Sequence, residues 1–226
     1  MNAKTRRKLE MGTRVLNFSR VHPDASPGYA AALSRLEERL TRAQDLAAQQ
    51  RDGILDVRAA TVQKRDLRRL MRGTQLKHLA RVAEVAARDV PELATKITLT
   101  PRPNTYLGFR TAARGMVAEA QTQKELLVKH GLVDTVLDSL VEALNQFDRA
   151  VEQGTDARRS HVGASAELDA VGDEIVQIVN VMDGLNRYRF AKDAESLAAW
   201  ESSSNIFGPP RPASQAPAEG EIKPAA

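Results

Sequence analysis

Apolar side chains recur at three- and four-residue steps along most of this chain, the spacing that lines one face of an α-helix. From Ala3 to Val21, Met11, Val15 and Phe18 share a stripe with Leu16 beside it, and His22-Pro23 ends the run. Pro23 and Pro27 mark a short turn, with Ser26 placed to cap a second helix whose first residue is Pro27. Leu33, Leu36, Leu40, Ala43, Ala47, Ile54 and Val57 then fall at helical steps, interrupted by Gln50, and predict one helix from Pro27 to Arg72. Unbroken, such a helix is about 70 Å long at 1.5 Å per residue. Gly53 inside it costs up to about 1 kcal/mol relative to alanine, which packing can absorb.

A break is expected at Arg72-Gly73-Thr74, because the stripe of Leu67, Leu70 and Met71 gives way to a rotated one of Leu79, Val82 and Ala86. A straight helix would place Leu76 among arginines. Thr74 is the expected N-cap of a shorter helix that stops before Pro91. A long non-helical connection follows, about 90–104, in which Lys96 to Thr100 alternates like a short extended segment. Its expected role is a crossover along the bundle. Asn104 or Thr105 caps the next helix, which runs to about Lys129, and Gly131 suits the left-handed position that ends it.

The clearest pattern begins at Val133. Alternating steps of four and three give Val133, Leu137, Leu140, Leu144, Phe147 and Val151. The same frame meets four misfits, Gly154, Arg158, His161 and Ser165, and then returns to Leu168, Gly172, Ile175, Val179 and Met182. Residues 153–165 are either a loop between two helices or the polar middle of one; the preserved frame favours one. Further on, Phe190, Ala194, Leu197 and Trp200 form a stripe out of phase with Met182, so a bend is expected at Asp183-Gly184. Asp193 lies near the start of the terminal helix, and Tyr106 and Phe109 are the expected neighbours of Trp200.

These readings converge on an all-α fold, an elongated antiparallel helical bundle with coiled-coil-like seams, one long central loop and a disordered tail. The domain is expected over 1–207, followed by a Pro/Ala-rich tail over 208–226 that holds five of the ten prolines. "PPRP" at its start matches a proline-motif ligand, but a flexible end explains it as well. Composition agrees with narrow seams rather than a thick core, since aromatics are only 4% of the chain while Ala, Val and Leu dominate. The basic N-terminal stretch lacks an apolar run, because Arg14, Asn17 and Arg20 interrupt it, and no stretch approaches a membrane span. A soluble cytoplasmic protein is therefore expected, with no transmembrane segment.

Charge changes the picture by being uneven. Residues 1–90 carry 19 Lys+Arg against 10 Asp+Glu, a net +9, whereas 91–226 carry 14 against 19, a net −5. Opposite halves can attract within one bundle or between two copies. The densest cluster runs from Arg58 to Arg81, with eight Lys/Arg and one acid, Asp66. Lys64, Arg65, Arg68, Arg69 and Arg72 fan over one arc of the helix, a candidate basic patch for phosphates or anionic membrane headgroups. The plainer reading is a solvated face or one paired with Asp134, Asp138, Glu142 and Asp148. No aromatic interleaves the cluster to stack on bases.

The search for reaction chemistry returns little. There is no cysteine, no Glu-x-x-His, no His-Glu-x-x-His, no phosphate-binding glycine loop and no dinucleotide fingerprint. No catalytic, cofactor-binding or metal-ligating residue is assigned. His161 beside Arg158 is read as a solvated histidine rather than a pH switch. Four of the aromatics, Tyr188, Phe190, Trp200 and Phe207, gather near the C-terminus as a helix-packing cap or an exposed docking patch. The function expected is a non-enzymatic scaffold or protein-interaction protein, self-associating or holding a protein partner. The alternative is binding of nucleic acid or an anionic surface through the Arg58–Arg81 face.

Overall fold

A computed structural model describes residues 1–99 and 105–208. Among them the chain is an all-α helical bundle without strands. Its helices are α1 (Ala3–Val21), α2 (Pro27–Gly73), α3 (Gln75–Ala86), α4 (Leu93–Lys96), α5 (Tyr106–Thr122), α6 (Lys124–Lys129), α7 (Asp134–Arg189) and α8 (Ala194–Ser204). No helix among the described residues is long and apolar enough to cross a membrane. The expected tail lies outside the described residues from position 209 onward. The chain divides into two compact units, each with its own apolar core. The first takes Met1–Gln50 and the described residues from Gly163 onward; the second is Arg51–Val162.

In the first unit α1 starts where Asn2 accepts a hydrogen bond from the Thr5 amide at 2.8 Å, an N-cap that satisfies one of the helix's free donors. Its stripe of Met11, Val15 and Phe18 meets Leu36 and Leu40 of α2 and Leu168, Ile175 and Val179 of α7 in one core. Here α2 and α7 run antiparallel, as Arg39 reaches Glu174 at 3.2 Å and Arg42 reaches Glu167 through Nε at 2.9 Å. Gly12 makes the three-helix approach possible. A Cβ there would lie 2.8 Å from Ile175 Cγ2 and 3.2 Å from Leu40 Cδ2. Lys8 is buried against α7, and its ammonium pairs with Asp173, whose carboxyl that hydrogen bond holds below its usual range.

The polar interruptions of the two long stripes are explained by this packing. Gln50, the misfit of α2, is buried and donates to Ser165 Oγ, a misfit of α7, at 2.6 Å. A buried amide paired in this way escapes the penalty of an orphaned donor. Residues 153–165 are helical throughout, so α7 is one helix of 56 residues. In the second unit Gly53 faces Ala157 and His161, and a Cβ on it would come within 3.1 Å of both. The glycine that weakens α2 locally is thus what lets α7 pass close beside it.

The second unit packs Met71, Leu76, Leu79 and Val82 against Phe109, Val117, Leu137, Leu140 and Phe147. The α2–α3 break falls at Thr74 and turns Leu76 into the core, as the rotated stripe requires. Thr74 stands at the N-cap position of α3, as expected, but its side chain does not cap the helix. Its hydroxyl donates backwards to the Leu70 carbonyl at 2.7 Å and makes no side-chain bond to the α3 amides. The connection expected to be non-helical contains α4, and Lys96 ends that helix rather than opening an extended segment. The reason is packing: Leu93 and Ile97, four residues apart, both enter the core. Thr100 and residues 101–104 lie outside the described residues, and with them the crossover expectation.

Thr105 caps α5, its Oγ1 accepting from the Gly108 amide at 3.0 Å. The helix stops at Thr122 rather than running to Lys129, and α6 follows. A straight continuation would put Lys124 one turn beyond buried Ala120, on the core face. The break leaves Lys124 exposed, while Leu127 still enters the core. Gly131 takes the expected left-handed conformation, with φ 100°. Val133, the first position of the long seam, is exposed because α7 begins one residue later.

One buried group in the first unit works against stability. Asn186 is 0% exposed, between Met182 and Phe190 on the same face of α7, and neither Nδ2 nor Oδ1 has a hydrogen-bond partner. An unpaired buried polar group costs about 1–3 kcal/mol. Asn186→Leu is therefore expected to stabilise the protein by about 1–3 kcal/mol in chemical denaturation; an unchanged or lower stability would mean that the amide contributes more than it costs.

Candidate functional site

The basic patch lies in the second unit, on the part of α2 whose buried side is Gly53, Ala60 and Met71. That choice of buried side, made by the contacts with α7 and the unit's core, turns the arginines outward. Arg65 and Arg69 are exposed, while Lys64, Arg68 and Arg72 are half-buried. Arg65, Arg68, Arg69 and Arg72 line an open groove of about 550 Å³ with Gly73 and Leu99. All five predicted residues are thus on one helix, and four of them share the groove.

What sequence spacing missed is aromatic. Tyr106 and Phe109, expected beside Trp200, pack instead with Phe147 in the second unit, at centroid distances of 5.8 and 5.5 Å. Lys64 lies 5.2 Å over the Tyr106 ring, and Arg68 lies 5.5 Å over the Phe109 ring. These cation–π contacts fix two of the five basic residues. Helix α5 is some forty residues away in the chain, so no local pattern points to them. The rings lie beneath the cations and are not presented for stacking.

The expected acidic counterweight is mostly engaged elsewhere. Asp148 pairs with Arg110 at 3.5 Å and with Arg114, and Asp134 lies 4.0 Å from Lys124. Glu142 accepts from Gln146 at 3.2 Å. Within the patch Asp66 lies 3.3 Å from Arg65 and 4.0 Å from Arg69, an exposed arrangement worth little in water. A second open groove of about 590 Å³, around Ala59, Ala60 and Ala157, carries Asp56 and Asp156 at its rim without a histidine. His161 is half-buried on α7 and has an interaction partner, so it is not the freely solvated residue expected. No group of three or more metal-type ligands occurs among the described residues.

The four C-terminal aromatics divide. Phe190 and Trp200 are buried, while Tyr188 is 89% and Phe207 81% exposed. Trp200 donates its Nε1–H to Asp183 at 2.7 Å, and its ring lies 5.3 Å from Phe18, which is 5.9 Å from Phe190. Asp183 therefore anchors the terminal helix rather than bending α7, which continues to Arg189. The turn comes after Phe190, where Asp193 accepts from the Ser196 amide at 3.1 Å and caps α8. Hydrogen bonds from Ser196 hold the Asp193 carboxyl below its usual range. Those from Arg187 to Asp183 and Glu201 raise the Arg187 guanidinium above its own. Phe207 has Arg7 5.7 Å over its ring but is otherwise open.

Tyr188 belongs to a second stripe that sequence reading passed over. Ile178, Val181, Leu185 and Tyr188 recur at steps of three, four and three on α7; Ile178 borders the buried face of Ile175, Val179 and Met182, and the stripe turns away from it towards Val181 and Tyr188. Val181 is 60% and Leu185 37% exposed. Burial of the single tryptophan is directly readable: Trp200 is expected to emit in the blue and to resist acrylamide, whereas red, easily quenched emission would contradict its packing from α8 onto Phe18. No family model, curated protein or solved structure matches the chain.

Proposed function

We propose that this protein is a non-enzymatic helical scaffold of the cytoplasm that associates with a second copy of itself through the outer face of α7. The observation that carries the reading is the open stripe of Val181, Leu185 and Tyr188, continued towards the core by the partly buried Ile178. Its three-four-three spacing is that of a coiled-coil seam, and a stripe can pair with its own copy under two-fold symmetry. The neighbouring Gln177 and Gly184 bring no charge to be desolvated, and the space beside Gly184 is open to a close approach. Light scattering across a wide concentration range is expected to find a dimer or larger species. Val181→Glu with Tyr188→Glu should shift it to the monomer without loss of helicity. A wild-type monomer at all concentrations would remove the self-association.

A second reading, from a different class, is favoured by the arginine-lined groove: the α2 face of the second unit holds an anionic partner. Its support is the excess of arginine on this stretch of helix, where Asp66 is the one acid in the sequence from Arg58 to Arg81. Retention on heparin at low salt, lost on Arg65→Glu with Arg69→Glu, is the expected outcome. Passage of the wild type through the column at low salt would remove this reading.

A further inference from the structure

We propose that the outer face of α2 in the second unit tracks the phosphate backbone of a double-stranded nucleic acid, without reading its sequence; this rests on the anion-binding reading above and names its ligand. The predicted patch is only the end of a longer row. Arg51, Arg58 and Arg65 are all exposed and follow one another at seven-residue steps, and Arg72 continues the interval. Seven residues are two turns, about 10.5 Å of rise, and the row drifts only about 20° per step. From Arg51 to Arg72 it covers about 32 Å, with exposed Arg69 beside its end.

A straight line of cations suits a long, regular polyanion better than a compact one, whose charges three or four converging side chains would enclose. Arginine rather than lysine supplies every position of the row, and its planar fork matches the oxygens of a phosphate. A row of about 32 Å is close to one turn of duplex, roughly 34 Å.

The same face argues against two other ligands. Exposed Leu55 and Val62 lie beside the arginines, but Asp66, paired with Arg65 and Arg69, stands next to them on the same side, and Asp52 follows about a quarter turn from Arg51. A bilayer surface needs a broad apolar face to insert, and these acids interrupt it. Single strands are held largely by aromatic platforms, and Tyr106 and Phe109 are occupied beneath Lys64 and Arg68. What remains is charge along a line, which fits the outside of a double helix.

The test is fluorescence anisotropy of the full chain with two 20-base-pair duplexes of unrelated sequence, across a salt titration. Equal affinity for both is expected, with log K falling against log[salt] at a slope of about −3 to −4 for four arginine contacts. Arg51→Gln with Arg58→Gln, both on the surface, should reduce that slope by about 2 while circular dichroism stays unchanged. Heparin retention without duplex binding would overturn this inference and leave the anionic reading standing, whereas loss of heparin retention would sink both. Binding to vesicles of anionic phospholipid in place of the duplex, or a slope untouched by the two substitutions, would also overturn it.

Discussion

The interaction on which most else depends is the close antiparallel passage of α2 and α7 where neither has apolar bulk to offer. Helices are ordinarily held together by interdigitated aliphatic side chains. Around Gly53 and Ala157 they meet through the lack of them, with His161 fitted where a β-carbon would otherwise stand. In the first unit the same problem is met by pairing Gln50 with Ser165 rather than by removing side chains. Each solution keeps its helix continuous. In α7, Leu137 to Phe147 enter the core of one unit and Leu168 to Met182 that of the other.

Once the buried side of α2 is fixed, its outer surface follows from helical geometry alone. Gly53, Ala60 and Met71 point inward, so Arg51, Arg58, Arg65 and Arg69 have nowhere to go but solvent. The half-buried pair, Lys64 and Arg68, lies between these two directions and covers Tyr106 and Phe109 with its stems and cations. The five residues of the predicted patch therefore divide by angle. Some complete the unit's packing, and others present charge outward. A substitution at Arg68 would disturb both, which is why Arg65 and Arg69 separate binding from folding more cleanly.

The helical class and most helix starts were legible because they follow from short-range rules: period, proline position and capping side chains. Ser26-Pro27, Thr105, Gly131 and Asp193 all sit where local chemistry puts them. The errors share a different cause. Thr74 bonds backwards instead of forwards, the helix breaks at Gln123 where Lys124 would otherwise enter the core, and α4 forms inside a connection because the core rewards burying Leu93 and Ile97. Those rewards depend on partners distant in sequence. The basic arc was visible for the same reason the helix was, but the aromatic rings beneath it come from α5, and only tertiary packing brings them there.

The C-terminal aromatics carry that distinction to its end. Tyr188 and Phe190 are two residues apart, about 200° round a helix, so one faces solvent when the other joins the core. No sequence pattern of aromatic content alone decides which. The decision is made by Phe18, which offers its ring to both Phe190 and Trp200, and by Asp183, which accepts the indole proton. With those partners taken, Tyr188 is left on the outward stripe with Val181 and Leu185. Burying that stripe as well would require a further helix on the other side of α7, and among the described residues none covers it. A cap and a docking surface are thus not competing descriptions of this segment, because the helical twist makes each the consequence of the other.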